Sequence, residues 1–418
     1  MSILSNFAES LIGSEIVKLG NAINERKRNG ETIYNYTIGD FDSSIFPIPD
    51  LLKQYIIEAY QNNKTNYPPG DGILELRQAV GDLFRRVEGI DYSNDEIQIS
   101  SGGRPVIYTL FKTVVNKGDK VIYTVPSWNN NHYVHMNDGE HCKITVSQEN
   151  NFMPTAAEIA PHIKGAALLC LCSPQNPTGT TLAKNELEAI CDLVINENES
   201  RGADEKKLYV LFDQMYWTLT YGDVKHNNPV TLNPKMKAYT IFVDGISKSF
   251  AATGVRVGWA MGPKNVIAKM KSLLSHVGAW APMAEQVATA KFLNNTEAVE
   301  SYILGIKNKL ESRLQYIYQR FSDLKAKGFP VDAISPQAAL YLTVKLDLKG
   351  YSYNNTALST QQDVSDFLLA EAKIAIVPFN CFGADNESPW YRISVGTCKE
   401  EDLQIVFDLL ETTLLKLK

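Results

Sequence analysis

Between residues 97 and 261 the chain repeats a short apolar run, a turn and then an apolar pattern at helical spacing. No other feature constrains the fold as strongly. The runs fall at 97–100, 120–124, 166–171, 208–212, 239–243 and 256–261. They are continuously apolar rather than alternating, as strands buried on both faces must be. Helices are expected between them, among others at 105–115, with proline in its first turn, and at 182–195. Strand, helix and strand in this succession specify an α/β fold, a mostly parallel sheet with crossover helices on both faces.

Past Pro263 the pattern changes. Long helices are expected at 265–276, 284–294 and 299–327, the last with the charge density of a solvated face. Short strands (339–346, 374–377, 391–395) then alternate with helices (361–372, 400–415), which describes a smaller α+β domain. The turn-rich segment 39–49, with Pro47 and Pro49, reads as a crossover from an N-terminal arm. The expected division is a large domain over 47–295 and a small domain from 1–46 and 296–418. A chain of 418 residues, 44% hydrophobic, is long enough for two cores.

Composition excludes several functions. With 41 basic and 47 acidic side chains the formal charge is −6, so no positive field suits nucleic acid. No apolar stretch is long enough to cross a membrane, and the N-terminus lacks the basic and apolar regions of a signal peptide. A cytoplasmic protein is expected. The six cysteines lack paired metal spacing and read as reduced, with Cys170 and Cys172 as small buried hydrophobes on one strand face. Neither GxGxxG nor GxxxxGK[ST] stands at a strand-to-helix junction, which argues against a Rossmann dinucleotide site and a P-loop.

Ligands of open α/β sheets sit beyond the carboxyl ends of the strands. Ser101-Gly102-Gly103-Arg104-Pro105 follows the first run and opens a helix, where bare N–H groups favour a phosphate. Trp128 follows the second, a flat ring for stacking. Asn176-Pro177-Thr178-Gly179 follows the third, Asp213-Gln214-Met215-Tyr216 the fourth, and Ser247-Lys248-Ser249 the fifth, with Arg256 opening the sixth. Taken singly, each has an ordinary structural explanation: a turn, a helix cap, a solvent-facing lysine. Jointly they supply a phosphate cradle, a ring stacker, an amide donor, a carboxylate and an imine-forming lysine. Pyridoxal phosphate requires that set.

Over nearly its whole length the sequence resembles the fold-type I pyridoxal-phosphate enzymes of the class I/II aminotransferase family. The matching motifs are Asn66-Tyr67-Pro68-Pro69-Gly70 through Arg77, Ser101-Gly102-Gly103-Arg104, Pro126-Ser127-Trp128, Asn176-Pro177-Thr178-Gly179, Asp213-Gln214-Met215-Tyr216, Ser247-Lys248 through Gly254-Val255-Arg256-Val257-Gly258, and Tyr391-Arg392-Ile393-Ser394. The resemblance implies an aminotransferase that moves an amino group from an L-amino acid to a 2-oxo acid by a ping-pong cycle. Lys248 would form the Schiff base and carry the proton, and Asp213 would keep the pyridine nitrogen protonated. Trp128 would stack on the ring, while Asn176 and Tyr216 would donate to its phenolic oxygen. Gly102, Gly103, Arg104 and Arg256 would hold the phosphate. Arg392 and the Gly39 N–H would bind the substrate α-carboxylate, with Trp128 and Asn176 bordering the substrate. Tyr67 would reach the phosphate of a neighbouring subunit, making the active unit a homodimer.

The chain departs from the family at three places. Asp40-Phe41 follows Gly39 without the usual proline. Gly245 stands where some relatives place a phosphate-binding serine, with Ser247 and Ser249 as substitutes. Arg104 replaces a lysine that in some bacterial relatives reads a distal carboxylate, which suggests a dicarboxylic substrate. Two alternatives share the motifs: a lyase eliminating a β- or γ-substituent, and a ligand-sensing regulator. The regulator is disfavoured by the acidic balance and by a family match that begins within the first few dozen residues.

Overall fold

A computed structural model describes residues 3–418, which form two compact units. The larger comprises Phe46–Lys309 with Gln337–Ala339; the smaller comprises residues up to Ile45, Leu310–Pro336 and Leu340–Lys418.

The larger unit is built on a seven-stranded sheet. Its strands are β1 (Ile97–Ser100), β2 (Lys120–Val125), β3 (Glu140–Thr145), β4 (Leu168–Cys172), β5 (Tyr209–Asp213), β6 (Thr240–Gly245) and β7 (Gly258–Met261). Their order is β1-β7-β6-β5-β4-β2-β3, and only β7 runs against the others. The mostly parallel sheet is thus present, with one strand beyond expectation. β3 is a polar edge strand whose buried residue is Ile144, so it lacks the apolar run that marks its neighbours.

Alternate residues of each strand feed different cores. Val121, Tyr123, Val125, Cys170, Leu211, Ile241, Val243 and Ala260 pack with helices Gly103–Val114 and Lys264–Val277. On the opposite face Phe212 and Phe242 meet edge to face, and Trp259 meets Phe84 of helix Leu74–Glu88. Each such side chain, fully buried, contributes roughly 1.5–3 kcal/mol.

The smaller unit carries an antiparallel sheet of β8 (Val331–Ala333), β9 (Tyr341–Leu346), β10 (Val377–Pro378) and β11 (Trp390–Ser394), in the order β10-β11-β9-β8. The single strand expected at 374–377 is two pieces. Ile374–Ala375 pairs in parallel with Tyr34–Asn35, whereas β10 pairs with β11. The boundary between units falls inside helix Thr296–Ala326, at 309/310, rather than ahead of it at residue 296. The first half of that helix packs within the larger unit: Tyr302 stacks near Phe250 and donates to the Pro47 carbonyl at 2.7 Å. The second half belongs to the smaller unit, where Arg313 donates to the Cys398 carbonyl and Phe321 meets Phe407. Among the described residues no helix is long and apolar enough to cross a membrane, and no cluster of metal-ligating side chains occurs.

Candidate active site

Because β1, β2, β4, β5 and β6 are parallel, their carboxyl ends share one sheet edge, and the antiparallel β7 begins at that edge. The ladders place Cys172 beside Asp213, Asp213 beside Val243, Gly245 beside Gly258 and Gly258 beside Ser100. The topology therefore gathers the segments carrying Gly102, Gly103, Arg104, Trp128, Asn176, Asp213, Tyr216, Lys248 and Arg256.

Gly102 caps helix Gly103–Val114 with φ +89°, a conformation that L side chains avoid. Arg256, itself at φ +62°, turns its guanidinium onto this cap: Nη2 donates to the Ser101 carbonyl at 2.8 Å and Nη1 to that of Thr253 at 2.5 Å. A Cβ at Gly258 would lie 2.6 Å from the Gly102 carbonyl carbon, and one at Gly245 would lie 2.7 Å from Gly258 Cα. Three backbones touch here, so a serine at 245 has no space for its side chain. The hydroxyl of Ser249 accepts from Thr218 at 2.9 Å.

Asp213 ends β5 with its carboxylate accepting from the Met215 N–H at 3.1 Å. Burial pushes this carboxyl up to about 6, with the Met215 amide pulling the other way. No basic side chain pairs with it among the described residues. Trp128 carries the Arg104 guanidinium over its ring at 4.7 Å. Gln175 Nε2 donates to the Pro126 carbonyl at 2.8 Å, tying the Asn176 loop to the Trp128 loop. Tyr67 projects from the larger unit, 85% exposed, with its ring edge-on to Trp280.

Arg392 and Gly39 belong to the smaller unit. Arg392, on β11, is 2% exposed and lies between the rings of Tyr341 and Phe382, 4.7 and 4.9 Å from their centroids. Its Nη2 donates to the Thr37 carbonyl at 2.6 Å. A Cβ on Gly39 would stand 2.8 Å from the Tyr341 hydroxyl and 3.6 Å from Arg392 Nη1.

Gln175, Trp217, Asp244, Tyr341 and Phe382 have no sequence signal, because each acts through a contact with a residue distant in the chain. The residues present fit pyridoxal phosphate. The glycine cap and Arg256 make a cradle that a Cβ would fill, and Asp213 is a half-buried carboxylate suited to a protonated ring nitrogen.

Comparison with known proteins agrees. The family model for aminotransferases of class I and II matches residues 33–410. The aspartate aminotransferase of Bacillus sp. (strain YM-2) is 30% identical over 399 residues, 94% of this chain and 95% of the relative. A probable aspartate/prephenate aminotransferase of Rhizobium leguminosarum bv. phaseoli is 29% identical over 405 residues, 96% of each chain. The crystal structure of the Rhizobium meliloti aspartate aminotransferase superposes with a TM-score of 0.90 at 25% identity, covering 100% of both chains. That of the Thermus thermophilus enzyme with maleate gives 0.87 at 27% identity, over 99% of this chain and 100% of that one. The chain belongs to the class I and II aminotransferases and is a pyridoxal-phosphate-dependent transaminase of fold type I.

Proposed function

We propose that this transaminase works through Lys248, takes a dicarboxylic acid among its amino-acid and 2-oxo-acid substrates, and acts as a cytoplasmic homodimer. Its large cofactor domain would be the middle of the chain and its small domain would be drawn from both termini. When bound, pyridoxal phosphate supplies the electron sink that lets an amino acid lose its α-proton. Lys248 Nζ would hold the cofactor and would carry the proton removed from the substrate α-carbon. Asp213 keeps the ring nitrogen protonated, an ion pair that is strong where water is scarce. The Gly102, Gly103 and Arg104 amides and the Arg256 fork bind the phosphate. Trp128 offers its face to the ring, and Asn176 and Tyr216 donate to the phenolic oxygen. Arg392 clamps the substrate α-carboxylate with its planar fork, assisted by the Gly39 N–H, while Trp128 and Asn176 border the substrate.

The observation that carries this reading is Asp213, a half-buried carboxylate at the sheet edge whose carboxyl desolvation raises to about 6 and which no basic side chain pairs among the described residues. The exposed Arg104 guanidinium over Trp128 supports a second, distal carboxylate on the substrate. The relative solved with maleate, itself a dicarboxylate, supports the same choice. The 85% exposure of Tyr67 suits a side chain that completes a partner subunit's site.

The test is an absorbance titration of the purified protein with pyridoxal phosphate, followed by a panel of amino acids. Aspartate and glutamate are expected to convert the bound cofactor to its amine form, and borohydride reduction should label Lys248. A Lys248→Ala variant should show neither. Labelling at another lysine, or no response to any amino acid, would sink the reading, and a monomer in sedimentation would remove the role of Tyr67.

A further inference from the structure

Two segments carry most of the chemistry proposed for the larger unit. Residues 213–218 leave β5 with Asp213 and Tyr216, and residues 244–249 leave β6 with Lys248. The ladder joining these strands ends where these segments begin: its last residue pair is Asp213 with Val243, followed by one backbone bond from Gln214 N–H to the Val243 carbonyl at 3.1 Å. Beyond that point side chains continue the connection. Trp217 Nε1 donates to Asp244 Oδ2 at 2.7 Å, and Thr218 Oγ1 donates to Ser249 Oγ at 2.9 Å.

The first of these bonds is the more deeply set. Trp217 is 6% exposed and Asp244 1%, and the indole packs on Phe84 with ring centroids 5.4 Å apart. Such a bond, out of reach of water, resists exchange and fixes both partners more firmly than a surface contact. Asp244 is placed to transmit that restraint, since its own backbone leads directly into Gly245, Ile246, Ser247 and Lys248. Trp217 is placed likewise, one residue from Tyr216 and four from Asp213. The two Asp244 oxygens differ: Oδ2 accepts from the indole, whereas Oδ1 is buried with no partner among the described residues. Burial, reinforced by the nearby Asp213 and Glu88 carboxyls, pushes Asp244 well above the usual carboxylate range. The Gly245 N–H and the Trp217 indole pull the other way, and the geometry of the indole bond uses Asp244 as an acceptor.

We propose that Trp217 and Asp244 are positioning residues for amino transfer, their buried bond fixing where the Asp213 and Lys248 segments stand relative to one another. The inference rests on the roles proposed for Asp213 and Lys248. A bond that only held the fold together would matter equally to stability and activity. A positioning bond matters to turnover even where stability has been restored.

The experiment uses the full chain loaded with pyridoxal phosphate and compares Trp217→Phe, Asp244→Leu, the double variant and Asp244→Asn. Trp217→Phe leaves a buried acceptor unpaired, so its cofactor-free melting temperature should fall. The double variant removes both polar groups together and should recover much of that loss. Its kcat should nonetheless stay about ten- to a hundredfold below the parent, with KM for the amino donor within about twofold, as misplacement of reacting groups predicts. Its gain in melting temperature on adding pyridoxal phosphate should also be smaller than the parent's. Asp244→Asn keeps an oxygen for the indole N–H and should retain most of kcat. A double variant with the parent's kcat and the parent's cofactor-induced gain would overturn the proposal. Should the double variant not fold, Trp217→Phe as active as Asp244→Asn would overturn it equally. Borohydride labelling of the parent separates the two failures: a label away from Lys248 rejects the underlying assignment, whereas a label at Lys248 with unaffected variants rejects only the positioning role.

Discussion

Gly102 and the Arg256 guanidinium are in direct apposition, so close that a Cβ on Gly102 would lie 2.8 Å from Arg256 Cζ. Gly102 also sits at φ +89° and ψ 179°, a region that glycine alone occupies at little cost. Gly102→Ala must therefore both strain the helix cap and push the guanidinium away from the Ser101 carbonyl. The two effects fall on the groups proposed to bind phosphate. The dissociation constant for pyridoxal phosphate, measured by equilibrium titration, is expected to rise about ten- to a hundredfold, equivalent to roughly 1.4–2.7 kcal/mol. An unchanged constant would place the phosphate elsewhere.

Asp213 has a consequence for stability as well as for binding. In the cofactor-free protein its carboxyl is raised from 3.8 to about 6 by burial, so the folded chain holds this proton more tightly than the unfolded chain. The favourable contribution is fully present below the unfolded value near 4 and is lost as pH rises through about 6. Above that point the ionised, unpaired group costs the fold on the order of 3 kcal/mol. Asp213→Asn removes the cost. The cofactor-free variant is expected to be more stable than the parent at pH 8, with little difference at pH 4, in urea unfolding followed by circular dichroism. Its transaminase rate should fall sharply at both pH values.

Most of the candidate site in the larger unit is legible in the sequence for a physical reason. Buried parallel strands write themselves as apolar runs, and the residues just past each run arrive at one edge, so Gly102, Trp128, Asn176, Asp213 and Lys248 could be collected by following chain order. Strand β3 escapes because its one buried residue, Ile144, makes no run. The Trp217–Asp244 and Gln175–Pro126 bonds escape because their partners stand 27 and 49 residues apart, and nothing local in either segment announces the other. The division inside helix Thr296–Ala326 is hidden for a related reason: the helix pattern is continuous while the surfaces it packs against change.

Arg392 is gripped by two aromatic faces and the Thr37 carbonyl, so its fork is oriented before any substrate arrives. Lysine cannot reproduce that fork or stack as a plane. Arg392→Lys is expected to raise KM for every amino donor about tenfold or more, because the α-carboxylate is common to them all, while binding of pyridoxal phosphate changes little. Steady-state kinetics with several donors, beside a cofactor titration, check both halves. A KM effect confined to one donor would contradict the assignment.

Arg104 has its proposed role in which substrates are preferred. Its backbone lies in the first turn of helix Gly103–Val114, where the amide suits a phosphate, yet its side chain extends over Trp128 at 4.7 Å and is exposed. Over the ring and exposed, the guanidinium is within reach of solvent and has the planar fork that takes a carboxylate in bidentate fashion. A substrate with a side-chain carboxylate would gain this contact, and alanine, with only a methyl group, would not. Arg104→Ala is therefore expected to lower kcat/KM for aspartate and glutamate about ten- to a hundredfold, while kcat/KM for alanine stays within about threefold. Arg104→Lys should fall between, keeping the charge and losing the fork. Since the phosphate contact expected of residue 104 comes from its backbone N–H, none of these changes should alter cofactor affinity. An Arg104→Ala variant whose preference for glutamate over alanine matched the parent's would remove the case for a dicarboxylic substrate, and loss of cofactor affinity in the same variant would move the Arg104 side chain from the substrate to the phosphate.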